Sequence, residues 1–220
     1  VSILMFFPAS AALIAHAADK PSAPLSGRTF QSTETQKLEA DDGANPGMLW
    51  VEQGAALWQK TSGADGRSCA GCHRGADQSM KGIAAGYPKV DQRSGRLFNL
   101  EARINDCRVE RMSVPALAHE SPELLGLTAY VAHQSRGLPR RVAIDGAAKS
   151  FFEAGKAFYE TRQGQLNVAC THCHDENVGK RLRGDKISEF RVFSPPSAGL
   201  SPLSSHHRAR FIPSRPTCAR

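Results

Sequence analysis

Several things are scarce in this 220-residue chain, and each scarcity excludes something. No stretch is apolar for long enough to cross a bilayer. The N-terminal apolar segments, residues 3–7 and 11–14, are broken by Pro8 and fall well short of the roughly 20 residues a spanning helix needs. Stable membrane insertion is therefore not expected. Clustered basic motifs are also missing. Lys and Arg number 28 against 21 Asp and Glu, a net charge of +7, but the basic residues are dispersed and no nucleic-acid-binding motif accompanies them. That argues against nucleic acid and leaves acidic proteins or anionic small molecules as partners. Hydrophobic residues still make up 40% of the chain, so composition does not imply disorder. Cysteine is sparse, at six residues, and only Cys107 and Cys218 lie outside two short clusters.

Those clusters are Cys69-Ala70-Gly71-Cys72-His73 and Cys170-Thr171-His172-Cys173-His174. C-x-x-C-H is the attachment signal for c-type haem: two thiols form thioethers with the porphyrin, and the adjacent imidazole becomes the proximal iron ligand. The competing reading is a pair of zinc knuckles or thioredoxin-like redox pairs. A zinc ribbon joins its two C-x-x-C halves across about 15–20 residues, whereas Cys72 and Cys170 are 98 positions apart. Two covalently attached haem c groups are the expected cofactors, with Cys69, Cys72, Cys170 and Cys173 as attachment sites and His73 and His174 as ligands.

The motifs belong to a longer repeat. At a constant offset of 101, Glu52 meets Glu153, Gly54 meets Gly155, Ala56 meets Ala157, Gly63 meets Gly164, and Leu57-Trp58 meets Phe158-Tyr159. A gapless shared offset implies a duplicated unit. The expected fold is all-α: two cytochrome c-like domains related by internal duplication. The expected domains are a signal peptide over residues 1–17, a polar arm or linker over 18–46, a first domain over 47–140 and a second over 141–220. The signal reading rests on the small-x-small site Ala15-His16-Ala17, although a basic n-region is absent. Export to the periplasm fits covalent haem attachment.

Periodicity predicts an amphipathic helix over residues 48–60, a loop over 75–95, a helix over 97–112, and a further opening helix over 151–160. Ser121-Pro122-Glu123 supplies an N-cap, an N1 proline and a first-turn acid for a helix running to about residue 135 and stopping at Gly137. The aromatic of the first helix, Trp58, is expected to pack in the core. From about residue 189 the periodicity is lost. Pro195-Pro196, Pro202, Pro213 and Pro216 break any helix, as expected of an incomplete or frame-altered second domain.

The second iron ligand has several candidates. In the first unit these are Met80, Met112 and Cys107. Cys107 can be read as a thiolate ligand, as a disulfide partner of Cys218, or as an inert core residue. No methionine follows His174, so the second unit offers Cys218, His206 and His207.

The chain resembles the SoxA family, di-haem subunits of the SoxAX cytochromes of bacterial sulfur oxidation. The residues that carry the resemblance are Asn45-Pro46-Gly47-Met48-Leu49-Trp50, both C-x-x-C-H motifs, Ile104-Asn105-Asp106-Cys107-Arg108, residues 123–132, and Gly179-Lys180-Arg181-Leu182-Arg183-Gly184-Asp185. The resemblance implies a periplasmic heterodimer with the mono-haem subunit SoxX. It implies oxidative conjugation of thiosulfate to a cysteine of the carrier protein SoxYZ, an L-cysteine S-thiosulfotransferase activity, with electrons passing to a cytochrome acceptor. It makes Cys107 a ligand of the first haem and Lys180, Arg181 and Arg183 the basic stretch beside the catalytic haem. The family's second ligating cysteine follows a Tyr-, Arg-, Leu- and Trp-bearing motif that is absent here; Cys218, 44 residues beyond His174, is the candidate at that spacing. Two other classes fit the motifs alone: a di-haem electron carrier without catalysis, and a di-haem cytochrome c peroxidase.

Overall fold

The computed structural model describes residues 26–189. The expected signal segment and the candidates Cys218, His206 and His207 lie outside them. The arm is polar as expected, yet it forms a 3-10 turn at Gly27–Phe30 and a helix α1 at Thr33–Ala40, neither with a buried residue. Ser32 caps α1 by accepting from Thr35 N at 3.2 Å. The arm is tethered from outside: Arg136 binds the Asp42 carboxylate and donates to Glu39 O at 3.2 Å.

Helix α2, Met48–Gln59, leads through a tight turn to α3, Cys69–His73. In the turn, Ser62 N donates to Arg67 O at 2.8 Å while Gly63 takes φ +74°, a left-handed conformation that glycine adopts without a Cβ clash. The segment expected to be loop instead holds a one-turn helix α4, Ala76–Ser79, and the first strand of a short hairpin, β1 Lys89–Val90 with β2 Leu97–Phe98. Leu97 therefore belongs to a strand rather than to the next helix. The reason is Asn99, whose side chain accepts from Ala102 N at 2.8 Å and starts α5 at Leu100–Met112. Helix α6, Pro122–His133, begins as expected, with Ser121 accepting from Leu124 N at 3.3 Å and proline in the first turn.

The core lies where α2 crosses α6. Trp58 and Val131 are buried with Ala76, and Cys69, Met80, Leu100 and Tyr130 pack around them. The crossing is set by two glycines. A Cβ on Gly54 would stand 2.0 Å from Gly126 O and 2.5 Å from Tyr130 Cβ.

The second unit repeats the first. Helices α7, Lys149–Glu160, and α8, Cys170–His174, sit 101 residues after α2 and α3 at both ends. The turn recurs as well, with Gln163 N donating to Val168 O at 3.0 Å and Gly164 at φ +68°. A hairpin follows, β3 Arg181–Leu182 with β4 Asp185–Lys186, at positions whose equivalents in the first unit hold no strand. Among the described residues no helix is long and apolar enough to cross a membrane.

Gly54→Ala gains helix propensity of about 1 kcal/mol but drives a methyl group into a backbone carbonyl that belongs to a packed helix. The expected net effect is a loss of about 1–3 kcal/mol, read as a lower urea midpoint with unchanged slope. An unchanged midpoint would mean that the helices separate freely at this point.

Candidate haem site

Cys69, Cys72 and His73 come to one wall of a cavity of about 810 Å³, within the usual range for a cofactor site. Helix α5 forms another wall with Leu100, Arg103, Ile104, Cys107, Arg108 and Arg111. These residues recur at i, i+3, i+4, i+7, i+8 and i+11, so one helical face is turned to the cavity. Met80 and Met112 line it too. All three sequence candidates for the sixth ligand thus reach the same space.

Local capping explains why C-x-x-C-H folds into a turn of helix. Ser68, buried, accepts from Gly71 N at 2.9 Å. Trp58 serves two purposes. It packs in the core, as expected, and it also lines the cavity, with its ring centroid 5.8 Å from that of His73 and its Nε1 donating to Arg74 O at 2.9 Å. Burial lowers the pKa of His73, which favours the neutral imidazole that a metal ligand must be. Burial raises the Cys107 thiol, opposed by the charges of Arg103, Arg111 and Arg93.

Sequence reading missed the clamp that holds α5. Arg103 bonds Asp91 at 2.7 Å and Asp106 at 2.9 Å, while Arg93 bonds Asp106 at 2.6 Å and Glu110 at 3.1 Å. Arg103 also lies over the Phe98 ring, 4.9 Å from its centroid. The Arg103–Asp106 pair is visible in sequence as an i, i+3 pair. Its link to Asp91 and Arg93 depends on hairpin docking and carries no periodic signal. Asp91 accepts from the Ser94 backbone at 2.9 Å and hydroxyl at 2.8 Å. Hydrogen bonds from Arg103 and Ser94 hold its carboxyl well below the usual range.

In the second unit, α8 carries Cys170, Cys173 and His174. His174 Nδ1 lies 2.9 Å from Ser188 O, a backbone contact of the kind that orients a ligating imidazole. Ala169 replaces the capping serine, and the cap is reversed: Ala169 N donates to His172 Nδ1 at 2.9 Å. Tyr159, buried at the position of Trp58, donates from its hydroxyl to Asp175 Oδ1 at 2.8 Å. Burial and that bond push its phenol pKa up. Of the basic stretch, Lys180 Nζ donates to Asn177 Oδ1 at 2.8 Å and Arg181 Nη1 to Gly184 O at 2.9 Å. Arg183 occupies the turn of the hairpin at φ +57°.

The family model described as SoxA/TsdA, cytochrome c domain, matches residues 53–140. The chain is 42% identical to the L-cysteine S-thiosulfotransferase subunit SoxA of Pseudaminobacter salicylatoxidans, over 84% of this chain and 66% of that protein. It is 40% identical to the same subunit of Rhodovulum sulfidophilum, over 84% of this chain and 65% of that protein. It therefore spans about two thirds of the length of these relatives. A solved structure, the crystal structure of SoxXA from P. pantotrophus, superposes with a TM-score of 0.73 at 38% identity, over 78% of this chain and 65% of that one. The mostly helical fold is that of a cytochrome c domain, and such a domain implies covalently bound haem c. The residues present fit the group: the motif cysteines Cys69 and Cys72, an imidazole whose neutral form burial favours, and a largely apolar space edged by guanidinium groups.

Asp91 has a depressed folded-state pKa, so its contribution to stability is present above the ordinary carboxylate value of about 3.9 and fades as pH falls below it. Asp91→Asn is expected to lower the melting temperature at pH 7, with the gap to the parent narrowing from pH 4 to pH 2. A pH-independent gap would assign the loss to packing alone.

Proposed function

The chain belongs to the SoxA family, and from that membership we propose that it is the di-haem subunit of a periplasmic L-cysteine S-thiosulfotransferase. The reaction joins thiosulfate to a cysteine of the carrier protein SoxYZ. One sulfur–sulfur bond forms between the carrier thiol and the outer sulfur of thiosulfate. The thiol proton and two electrons leave, and the electrons go to a cytochrome acceptor. The mono-haem subunit SoxX is the expected partner. The observation that carries this reading is the convergence of Cys69, Cys72, His73 and Cys107 on one cavity, repeated in outline by α8 in the second unit.

When bound, each haem supplies an iron that takes up one electron at a time. Cys69 and Cys72 would hold the first by thioethers, and His73 would ligate it; Cys170, Cys173 and His174 would do the same for the second. Cys107 is the proposed second ligand of the first haem. It lies on the cavity face of α5, where burial pushes its thiol up and three arginines partly offset that rise. The Ser188 carbonyl beside His174 Nδ1 orients that imidazole. Lys180, Arg181 and Arg183 are exposed and attract anionic substrate to the second site. Lys180 and Arg181 are anchored through Asn177 and Gly184, which leaves Arg183 at the hairpin turn as the group best able to form charge-assisted bonds to a sulfonate. The proposed domains remain residues 47–140 and 141–220. Cys218, the candidate second ligand of the second haem, lies outside the described residues.

Cys107→Met replaces an anionic ligand by a neutral one, which stabilises ferric iron less. The expected result is a changed low-spin EPR signal and a raised potential for the first haem. Unchanged spectra would return the role to Met80 or Met112.

The function itself is tested by adding thiosulfate and reduced SoxYZ and weighing the carrier for a bound thiosulfonate. A plain electron carrier or a peroxidase leaves the carrier unmodified. Arg181→Ala and Arg183→Ala are expected to slow turnover most at low thiosulfate. If salt alone abolishes the difference, the residues steer association rather than bind the substrate.

A further inference from the structure

Both repeat units contain the same cross-link, made with different chemistry. In each, the aromatic residue 15 positions before the motif histidine sits buried on the opening helix and donates a hydrogen bond to the residue directly after that histidine. In the first unit Trp58 Nε1 donates to the backbone carbonyl of Arg74 at 2.9 Å. In the second, Tyr159 Oη donates to the side-chain carboxylate of Asp175 at 2.8 Å. The geometry does the same work twice: the opening helix is tied to the end of the C-x-x-C-H turn, so the histidine between them is held by the chain on both sides. The second unit adds a charge. Where the first has a neutral carbonyl as acceptor, the second sets a carboxylate next to its motif histidine.

We propose that Tyr159 and Asp175 are positioning residues for His174: Tyr159 fixes the end of α8, and the Asp175 carboxylate that it holds lowers the potential of the second haem relative to a neutral acceptor. A negative charge near the iron favours the more positive, oxidised form. The reach of that charge depends on where the carboxylate is held, and the tyrosine hydroxyl holds it. His174 is already fixed at Nδ1 by Ser188 O at 2.9 Å. The tyrosine link thus adds a restraint on the backbone that carries this ligand to the one that Ser188 places on its ring.

The inference rests on the two-haem reading, so the intact mass of exported, full-length protein is measured first. One haem per chain overturns that reading and this proposal with it. With two haems present, three variants of the haem-loaded chain separate geometry from charge. Tyr159→Phe is expected to shift the low-spin EPR signal of the second haem and leave that of the first in place. Tyr159→Trp, which restores a ring N–H donor of the kind used in the first unit, is expected to return the signal toward that of the parent. Asp175→Asn keeps an acceptor for the tyrosine but removes the charge, and is expected to shift the second potential upward with little change in the EPR signal. If Tyr159→Phe does not fold, Asp175→Asn decides alone. A lower melting temperature in Tyr159→Phe and Asp175→Asn, with the signal and potential of the second haem unchanged, would overturn the proposal and reduce the contact to ordinary packing.

Discussion

The α2–α6 crossing is the constraint from which the first unit is built. Gly126 O and Gly54 approach so closely that a Cβ on Gly54 would lie 2.0 Å from the oxygen. No side chain can be interposed, and the two helices meet backbone to backbone. Trp58, one turn beyond Gly54 on α2, then falls against Val131 of α6 and Ala76 of α4. Its indole reaches Arg74 O, and the C-x-x-C-H turn is thereby held against the core. One side of the cavity is fixed by this chain of contacts.

The opposite side has a different physical basis. Helix α5 buries only Met112 fully, because the face it would otherwise bury looks into the cavity. It is held instead by charge. Arg103 and Arg93 bridge Asp91, Asp106 and Glu110 between the hairpin and the helix. Exposed ion pairs contribute little, about 0–1 kcal/mol each. Here Asp91 is buried and hydrogen-bonded by Ser94 as well, which makes the network directional. The same guanidinium groups that hold the helix also partly offset the burial that pushes the Cys107 thiol up. Mechanical and electrostatic roles therefore coincide in Arg103 and Arg93.

Comparison of the two units separates what duplication preserved from what it released. Preserved are the helix lengths, the turn with a left-handed glycine, and the aromatic donor. Released are the cap of the attaching helix, which passes from the Ser68 hydroxyl to the His172 ring, and the segment after it, where the second unit has a hairpin carrying Ser188 to His174. The preserved features define the ligand turn. The released ones set the environment of each histidine.

Much of this was legible in the chain alone. Two C-x-x-C-H motifs at one offset specify haem chemistry because each atom they contribute has a fixed covalent or coordinative role, independent of tertiary context. The α2, α6 and α7 helices were legible from periodicity, and Ser121-Pro122 from capping chemistry, since these are local preferences. Asn99 carries a local capping signal that starts the helix after it, and Leu97 pairs in a strand instead. Only the tertiary structure decided that Cys107, Met80 and Met112 face one cavity, that Asp91 reaches Arg103 across a docked hairpin, and that the backbone oxygen of Ser188 holds His174. Each of these joins segments by distance in space, through a backbone atom or a hairpin docking that leaves no periodic mark on the sequence.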